Sequence, residues 1–237
     1  MIPTHPQPSG LFLFDKPKGI TSHDAVELLR RKLSIKKIGH TGTLDPMATG
    51  LLIMLVGSAT AVQSAMQGSA KVYGGTIVFG TETDTWDAEG KVTAEAPPPA
   101  LDEATVANAV KSFNGKIIQQ IPPYSAVRLN GRHMYKLARQ NVVMPEVKRE
   151  ADIRWISWAA RSPALDFEIE CSGGTYVRSI AFEMGRLLGS RAHLSALRRL
   201  SIGSLSVRDA VSAKDLEALS PGAALAKLTP VQGAARA

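Results

Sequence analysis

The chain has 237 residues, 44% of them hydrophobic, with a net charge of +7 and a pI near 9.6. That length suits one large domain, or one domain with a small appendage. No run reaches the roughly 18 apolar residues of a membrane span, no basic-then-apolar secretory signal opens the chain, and the single cysteine, Cys171, allows neither an internal disulfide nor a cysteine zinc cluster. A cytoplasmic protein is expected. The charge is uneven: residues 101–150 hold eight Lys and Arg against four acids, whereas residues 51–100 hold two against five. A basic face suits a phosphate backbone, because neutralising phosphates releases counterions.

Residues 1–10, with three prolines, read as a flexible lead-in. Leu11–Phe14 is short and apolar, a strand, and Asp15-Lys16-Pro17-Lys18-Gly19 is a turn. Thr21 with Asp24 resembles a capping box, and Val26, Leu29 and Leu33 follow at helical spacing. The cluster Arg30, Arg31, Lys32, Lys36 and Lys37 then suits the C-terminal end of the helix dipole.

Next comes Gly39-His40-Thr41-Gly42-Thr43-Leu44-Asp45-Pro46-Met47-Ala48-Thr49-Gly50, directly before the apolar run Leu51–Val56. Gly39, Gly42 and Gly50 permit backbone angles that other residues resist, and Pro46 biases Asp45 towards an extended conformation. A bent loop feeding a buried strand is expected, with one carboxylate near its middle. Asp before Pro is also ordinary turn chemistry, so the residues alone leave Asp45 open between turn and site.

A short helix follows at about residues 59–66. In the strand Lys71–Gly80, Tyr73, Ile77 and Phe79 share one face. Thr81–Gly90 is an acidic, solvated loop whose spacing does not match a calcium loop. Asp102 opens a helix with Val106, Val110 and Phe113 on one face. Ile121-Pro122-Pro123-Tyr124-Ser125-Ala126 is stiff and extended. Arg128, Arg132, Lys136 and Arg139 then lie four, four and three residues apart, so a helix there would carry one basic stripe. No acid interleaves between Tyr124 and Met144, which favours a nucleic-acid contact over helix-stabilising ion pairs. Asp166–Cys171 alternates as a half-exposed strand, and Ser172-Gly173-Gly174 turns the chain. Thr175 can cap a helix whose buried face is Ile180, Met184 and Leu187. Arg178 lies in its first turn, the wrong end for a cation unless it holds something negative.

At this point the chain resembles the TruB-type pseudouridine synthases. Gly39, His40, Gly42, Leu44, Asp45, Pro46, Ala48 and Gly50 fit the motif G-H-x-G-x-L-D-P-x-A-x-G. Lys71-Val72-Tyr73 looks like the K-x-Y strand, and Pro122–Ala126 with Gly131, Arg132 and Tyr135 looks like P-P-x-[YF]-S-A-x-K-x-x-G-x-R-x-Y. Cys171–Arg178 looks like C-S-x-G-T-Y-[IV]-R, and Leu197–Leu200 like the closing L-R-R-L. The likeness covers about residues 11–209. Arg128 stands where the family usually has Lys, and these cations differ in geometry and hydration.

The resemblance implies an α+β pseudouridine synthase fold: a mixed, mostly antiparallel central sheet with flanking helices and a central cleft. It implies a catalytic domain at 11–209 with a basic RNA-clamping insertion at 115–150, then a short tail at 210–237 in place of a PUA domain. The implied reaction converts one uridine in the tRNA T-arm, position 55 in tRNA numbering, to pseudouridine. No metal or organic cofactor and no membrane is implied, and the protein would be a monomer. Asp45 would be the essential carboxylate and Arg178 its counter-charge; Tyr73 would stack on the flipped uracil. His40 and Leu197 would contact the substrate, and Tyr124, Arg128, Arg132 and Arg139 would hold RNA. The competing expectations are the same chemistry on another RNA, or an RNA-folding chaperone.

Overall fold

The computed structural model describes residues 8–231, so parts of the lead-in and the tail lie outside the described residues. The chain forms two compact units, Met1–Tyr73 with Arg198–Ala237, and Gly74–Leu197.

The first unit begins with β1 (Gly10–Lys16), α1 (Ser22–Leu33), β2 (Ile38–His40), β3 (Thr49–Val56), α2 (Gln63–Gln67) and the start of β4 (Lys71–Phe79). The second unit takes the rest of β4, then β5 (Thr81–Thr83), β6 (Val92–Glu95), α3 (Glu103–Ser112) and β7 (Gly115–Gln120). It continues through β8 (Arg128–Leu129), β9 (Arg132–His133), α4 (Met134–Ala138), β10 (Lys148–Arg161), β11 (Ala164–Cys171), α5 (Val177–Leu187) and most of β12 (Ala192–Ile202). The chain ends in the first unit with the remainder of β12, then β13 (Leu205–Ser206), β14 (Val211–Ser212), α6 (Ala213–Ala218) and α7 (Pro221–Leu225).

β3 is the axis of the first unit because its sequence is apolar without alternation, the pattern of a strand covered on both faces. It pairs antiparallel with β1, from Gly10↔Val56 to Lys16↔Gly50. Its other edge takes β2 antiparallel and β12 parallel, the latter at Arg198↔Thr49 and Arg199↔Gly50. One face packs Leu11, Leu13, Leu51, Ile53 and Leu55 against Ala59, Met66 and Ile202. Each such aliphatic contributes about 1.5–3 kcal/mol on full burial. The capping box of α1 forms as expected, Asp24 N donating to Thr21 Oγ1 at 3.0 Å and Thr21 N to Asp24 Oδ2 at 2.9 Å. Lys32, in its last turn, also serves a second helix end, donating to the carbonyls of Glu217 and Leu219. Thr229, after α7, bridges to β1: Leu11 N donates to Thr229 O and Thr229 N to Leu11 O, at 2.8 and 3.0 Å.

In the second unit the strand order is β12-β4-β11-β10-β7, with β10 antiparallel to both β11 and β7. Gly75 sits where β4 meets two neighbours; a Cβ there would lie 2.6 Å from Phe167 Cζ and 2.8 Å from Ala196 O. The expected face of Tyr73, Ile77 and Phe79 is buried, and β11 alternates as its sequence predicts.

Four expectations need correction. Arg128 and Arg132 do not continue a helical stripe: they lie on the β8–β9 hairpin, and only Lys136 falls within α4. The cause is Asn130-Gly131, both at positive φ (48° and 79°), which is the turn chemistry that two-residue hairpins select. Helix α5 is capped at Tyr176 without a side-chain bond, while Thr175 Oγ1 closes the preceding turn on Ser172 O. Leu187 is 52% exposed, so the buried face of α5 is Arg178, Ile180, Ala181, Phe182 and Met184 instead. Thr81–Thr83 is strand rather than loop. Of the three loop glycines, only Gly50 takes a positive φ, 100°, because β12 passes so close that a Cβ would collide with the Arg199 backbone.

Candidate active site

The Asp45 loop is held from several sides within the first unit. Leu44, Met47 and Ala48 are buried, so apolar anchors flank the half-buried Asp45. Ser22 on α1 clasps Leu44 both ways: its Oγ donates to Leu44 O at 3.1 Å and accepts from Leu44 N at 2.8 Å. The Pro46 carbonyl accepts from Gly19 N at 2.9 Å and from Lys16 Nζ at 3.3 Å. Lys16 is fully buried, and its ammonium also donates to Pro17 O at 2.9 Å and Ile20 O at 2.8 Å. Ala48 N closes the turn on Asp45 O at 3.0 Å. A loop held this firmly on both sides leaves the Asp45 backbone little conformational freedom.

At the far side of the loop, Arg198 and Arg199 project from β12. Arg198 makes a two-pronged pair with Asp15, at 3.0 and 2.7 Å, and Arg199 donates to the carbonyls of Leu51 and Gly42 at 2.6 and 3.2 Å. The ring of His40, at the end of β2, titrates below the usual imidazole range. Burial is the main cause, then the charges of Arg199 and His23, opposed by the Gly42 backbone. Tyr73 is buried on β4, beside Lys71, whose ammonium donates to Gln67 O and Ser69 O at the end of α2.

In the second unit Arg178 is 4% exposed despite its place in the first turn of α5. Nη1 donates to Thr85 O at 2.9 Å, Nη2 to Tyr124 O at 3.1 Å, and Nε stands 3.7 Å from Asp87 Oδ2. These carbonyls and the carboxylate answer the question of what a cation does at that end of a helix. Their positions depend on a strained turn, in which Trp86 adopts φ 63° while its ring stacks on Phe182 at 3.9 Å. Asp87 is itself oriented by Thr85 Oγ1 at 2.6 Å and Glu89 N at 3.0 Å. The start of α5 is pinned by Gln119, whose side chain accepts from Tyr176 N and donates to Tyr176 O, at 2.7 and 3.2 Å.

A family model for the N-terminal domain of TruB family pseudouridylate synthases matches residues 30–177. A tRNA pseudouridine synthase B from Opitutus terrae is 43% identical over 239 residues, covering 99% of this chain and 98% of that protein. Another, from Aquifex aeolicus, is 43% identical over 209 residues, 87% of this chain and 72% of the relative. The chain belongs to the TruB family of pseudouridine synthases. Among solved structures it is similar to a chain of a Cbf5-Nop10-Gar1 complex, with TM-score 0.68 and 24% identity over 95% of this chain and 61% of that one. At that identity the likeness shows the pseudouridine synthase fold alone. A mixed, mostly antiparallel α+β architecture was the sequence-based expectation, and this fold agrees with it.

The residues that the resemblance assigns to RNA differ in their surroundings. Arg128, Arg132, Lys136 and Arg139 are exposed, and none pairs with a carboxylate among the described residues. Arg128 and Arg132 are tied locally to Gly131 O and Gln140 Oε1, and Arg139 lies over the Tyr135 ring at 5.5 Å. Met134 and Leu137 root this basic element. Tyr124, half-buried, lines a pocket of about 410 Å³ with Asp84, Trp86, Met134, Val142 and Met144. Leu197 is buried on β12. No cluster of potential metal ligands exists among the described residues, and no helix among them is long and apolar enough to cross a membrane. Sequence reading missed Asp87, Lys16 and Arg199 as site-shaping residues. Lys16 adjoins a proline turn, Asp87 sits in an acidic loop, and Arg199 lies inside a matched motif with no role attached.

Proposed function

We propose that this protein isomerises a uridine in the T-arm of tRNA, position 55 in tRNA numbering, to pseudouridine. The observation that carries this is the tethered Asp45 loop in a chain of the TruB family with matching Tyr73, Arg178 and Leu197. The target base leaves the stack, because its atoms are inaccessible inside a folded arm. The C1′–N1 bond breaks, the uracil turns, C5 bonds to C1′, the C5 proton is lost and N1 gains one, so the product is an isomer of the substrate. Nothing is oxidised or reduced, so the reaction calls for no redox partner.

Asp45 is the essential carboxylate and acts ionised. Arg178 is its counter-charge, keeping it charged and aimed. Tyr73 stacks on the extruded uracil near C5. Leu197 lines the apolar side of that pocket, and His40 contacts the nucleotide that leaves the stack. Tyr124, Arg128, Arg132 and Arg139 grip the RNA, with residues 115–150 as the clamping element on a catalytic domain spanning 11–209. The protein works in the cytoplasm as a monomer. Incubating it with unmodified T-arm stem-loop RNA and mapping pseudouridine at single-base resolution tests the reading. Modification at the equivalent of position 55 is expected; binding without modification would point to a chaperone, and modification elsewhere to another RNA substrate.

A further inference from the structure

Arg199 is the largest fully buried side chain described, 1% exposed, and no carboxylate pairs with it among the described residues. A buried cation without a counter-ion is costly, and aliphatic residues usually fill such space more stably. Its charge therefore has to be useful to something nearby. Two features respond to it. The first is the backbone around Asp45. Nη2 donates to Gly42 O at 3.2 Å and Nε to Leu51 O at 2.6 Å, so one planar group spans the loop from three residues before Asp45 to six after it. The register of β12 on β3 fixes that span, because Arg199 pairs with Gly50.

The second is His40. Its Nδ1 is buried and has no hydrogen-bond partner, as does Thr41 Oγ1 next to it. The charged or titratable groups that act on the ring are Arg199 from β12 and His23 from α1, the latter 3.7 Å from Glu27. Burial first, then the Arg199 charge, and the His23 ring when it is protonated, disfavour a second proton on His40. The Gly42 backbone is the group that favours it, and Arg199 Nη2 already donates to that carbonyl. Arg199 therefore opposes protonation of His40 by its charge, while sharing with it the Gly42 backbone that favours the proton.

We propose that Arg199 is a positioning residue for His40 and the Asp45 loop: its guanidinium spans the loop through the Gly42 and Leu51 carbonyls and sets the hydrogen-bonding form in which His40 meets RNA. That form is a neutral imidazole, with one N–H donor and one lone pair. An imidazolium would offer two donors and attract any phosphate. The effect on turnover rests on the T-arm reading above; the effect on His40 does not.

The test compares full-length wild type, Arg199→Met and Arg199→Lys. Three quantities are followed: the His40 ring titration by NMR, with His40→Asn supplying the assignment; single-turnover pseudouridine formation across pH; and binding of T-arm stem-loop RNA. In Arg199→Met, the His40 midpoint should rise by about one pH unit, as for losing one neighbouring charge. Turnover should then fall more steeply towards acid than in wild type. In Arg199→Lys the charge stays but the fork is lost, so His40 should titrate as in wild type while turnover drops about tenfold at every pH, since an ammonium cannot span two carbonyls as a planar fork does. Should Arg199→Met fail to fold, Arg199→Lys still decides: wild-type turnover in that variant overturns the loop-spanning role. An unchanged His40 midpoint and an unchanged pH profile in Arg199→Met overturn the role towards His40. If wild type forms no pseudouridine in the stem-loop while His40 shifts as expected, the T-arm reading fails and the Arg199–His40 relationship stands.

Discussion

Arg178 and Asp87 share a buried site, with Nε 3.7 Å from Oδ2 and both side chains 5% exposed. The contact is too long for a good hydrogen bond but short for a charge pair away from water. Asp87→Asn removes the charge while keeping the shape, and its amide can still meet Thr85. Removing one member of a buried pair is costly because the other stays buried. We expect turnover to fall about 10- to 100-fold, a range of roughly 1.4–2.7 kcal/mol in the barrier, with RNA binding little changed. Single-turnover kinetics beside filter binding checks this. Wild-type turnover would mean that the Asp87 charge is not needed to aim Arg178.

Asp45→Asn should abolish pseudouridine formation and leave tRNA binding within about tenfold, since volume and RNA contacts persist. Arg178→Lys should lose most activity with a smaller loss of binding, because an ammonium cannot reproduce the three directions that the guanidinium serves here. Product mapping and binding on the same preparations separate chemistry from grip. An active Asn variant removes Asp45 from the reaction.

Lys16→Met replaces a fully buried ammonium with an apolar chain of similar length. The carbonyls of Pro17 and Ile20 lose a donor, while Pro46 keeps Gly19 N. A buried acceptor left unsatisfied costs about 1–3 kcal/mol, so the urea midpoint should fall clearly. Because Pro46 adjoins Asp45, turnover of the folded fraction should fall too. A midpoint equal to that of wild type would show that the turn holds without the ammonium.

Arg132→Ala and Arg139→Ala should each weaken RNA binding and reduce the slope of log K against log salt by about 1, the signature of one lost phosphate contact. Both side chains are exposed and neither is neutralised by an acid, so the folding midpoint should barely move. If neither variant changes the slope, the β8–β9 hairpin and α4 are not an RNA surface.

Glu183 is pushed above its usual 4.5, mainly by burial, with the Gln120 N–H it accepts pulling the other way. A carboxyl with a raised folded value binds its proton more tightly when folded. Its contribution is therefore fully present below the unfolded value and is lost as pH rises through the folded one. Glu183→Gln keeps an acceptor for Gln120 N and removes the charge. It should raise the unfolding midpoint at pH 7 and leave it unchanged at pH 3. Urea melts at the two pH values check this, and equal effects at both would exclude a role for ionisation.

Much of the first unit was legible in the sequence, because its elements rest on local signals. The β1 run, the capping box of α1 and the unalternating β3 each declare themselves within a dozen residues. The basic element was misread because four-residue spacing fits a helix and a two-residue hairpin alike; Asn130-Gly131 was the deciding signal. The loop motif picked out Asp45, but what tethers it was hidden. Lys16 and Arg199 act through backbone carbonyls, and those have no sequence signature. Asp87 was invisible for another reason: its place depends on Trp86 holding a left-handed backbone, which stacking on Phe182 supports and no local propensity favours.

The division of the chain into units has a consequence for synthesis. Gly74–Leu197 is continuous, whereas the other unit needs both Met1–Tyr73 and the stretch from Arg198 onwards. On the ribosome, the second can begin folding while the first still lacks β12, β14 and the Thr229 bridge to Leu11. Until then Thr49 and Gly50 of β3, which lead into the apolar run Leu51–Val56, lack their partners Arg198 and Arg199. That nascent interval, rather than the finished fold, is where this chain is most open to aggregation and most in need of a chaperone.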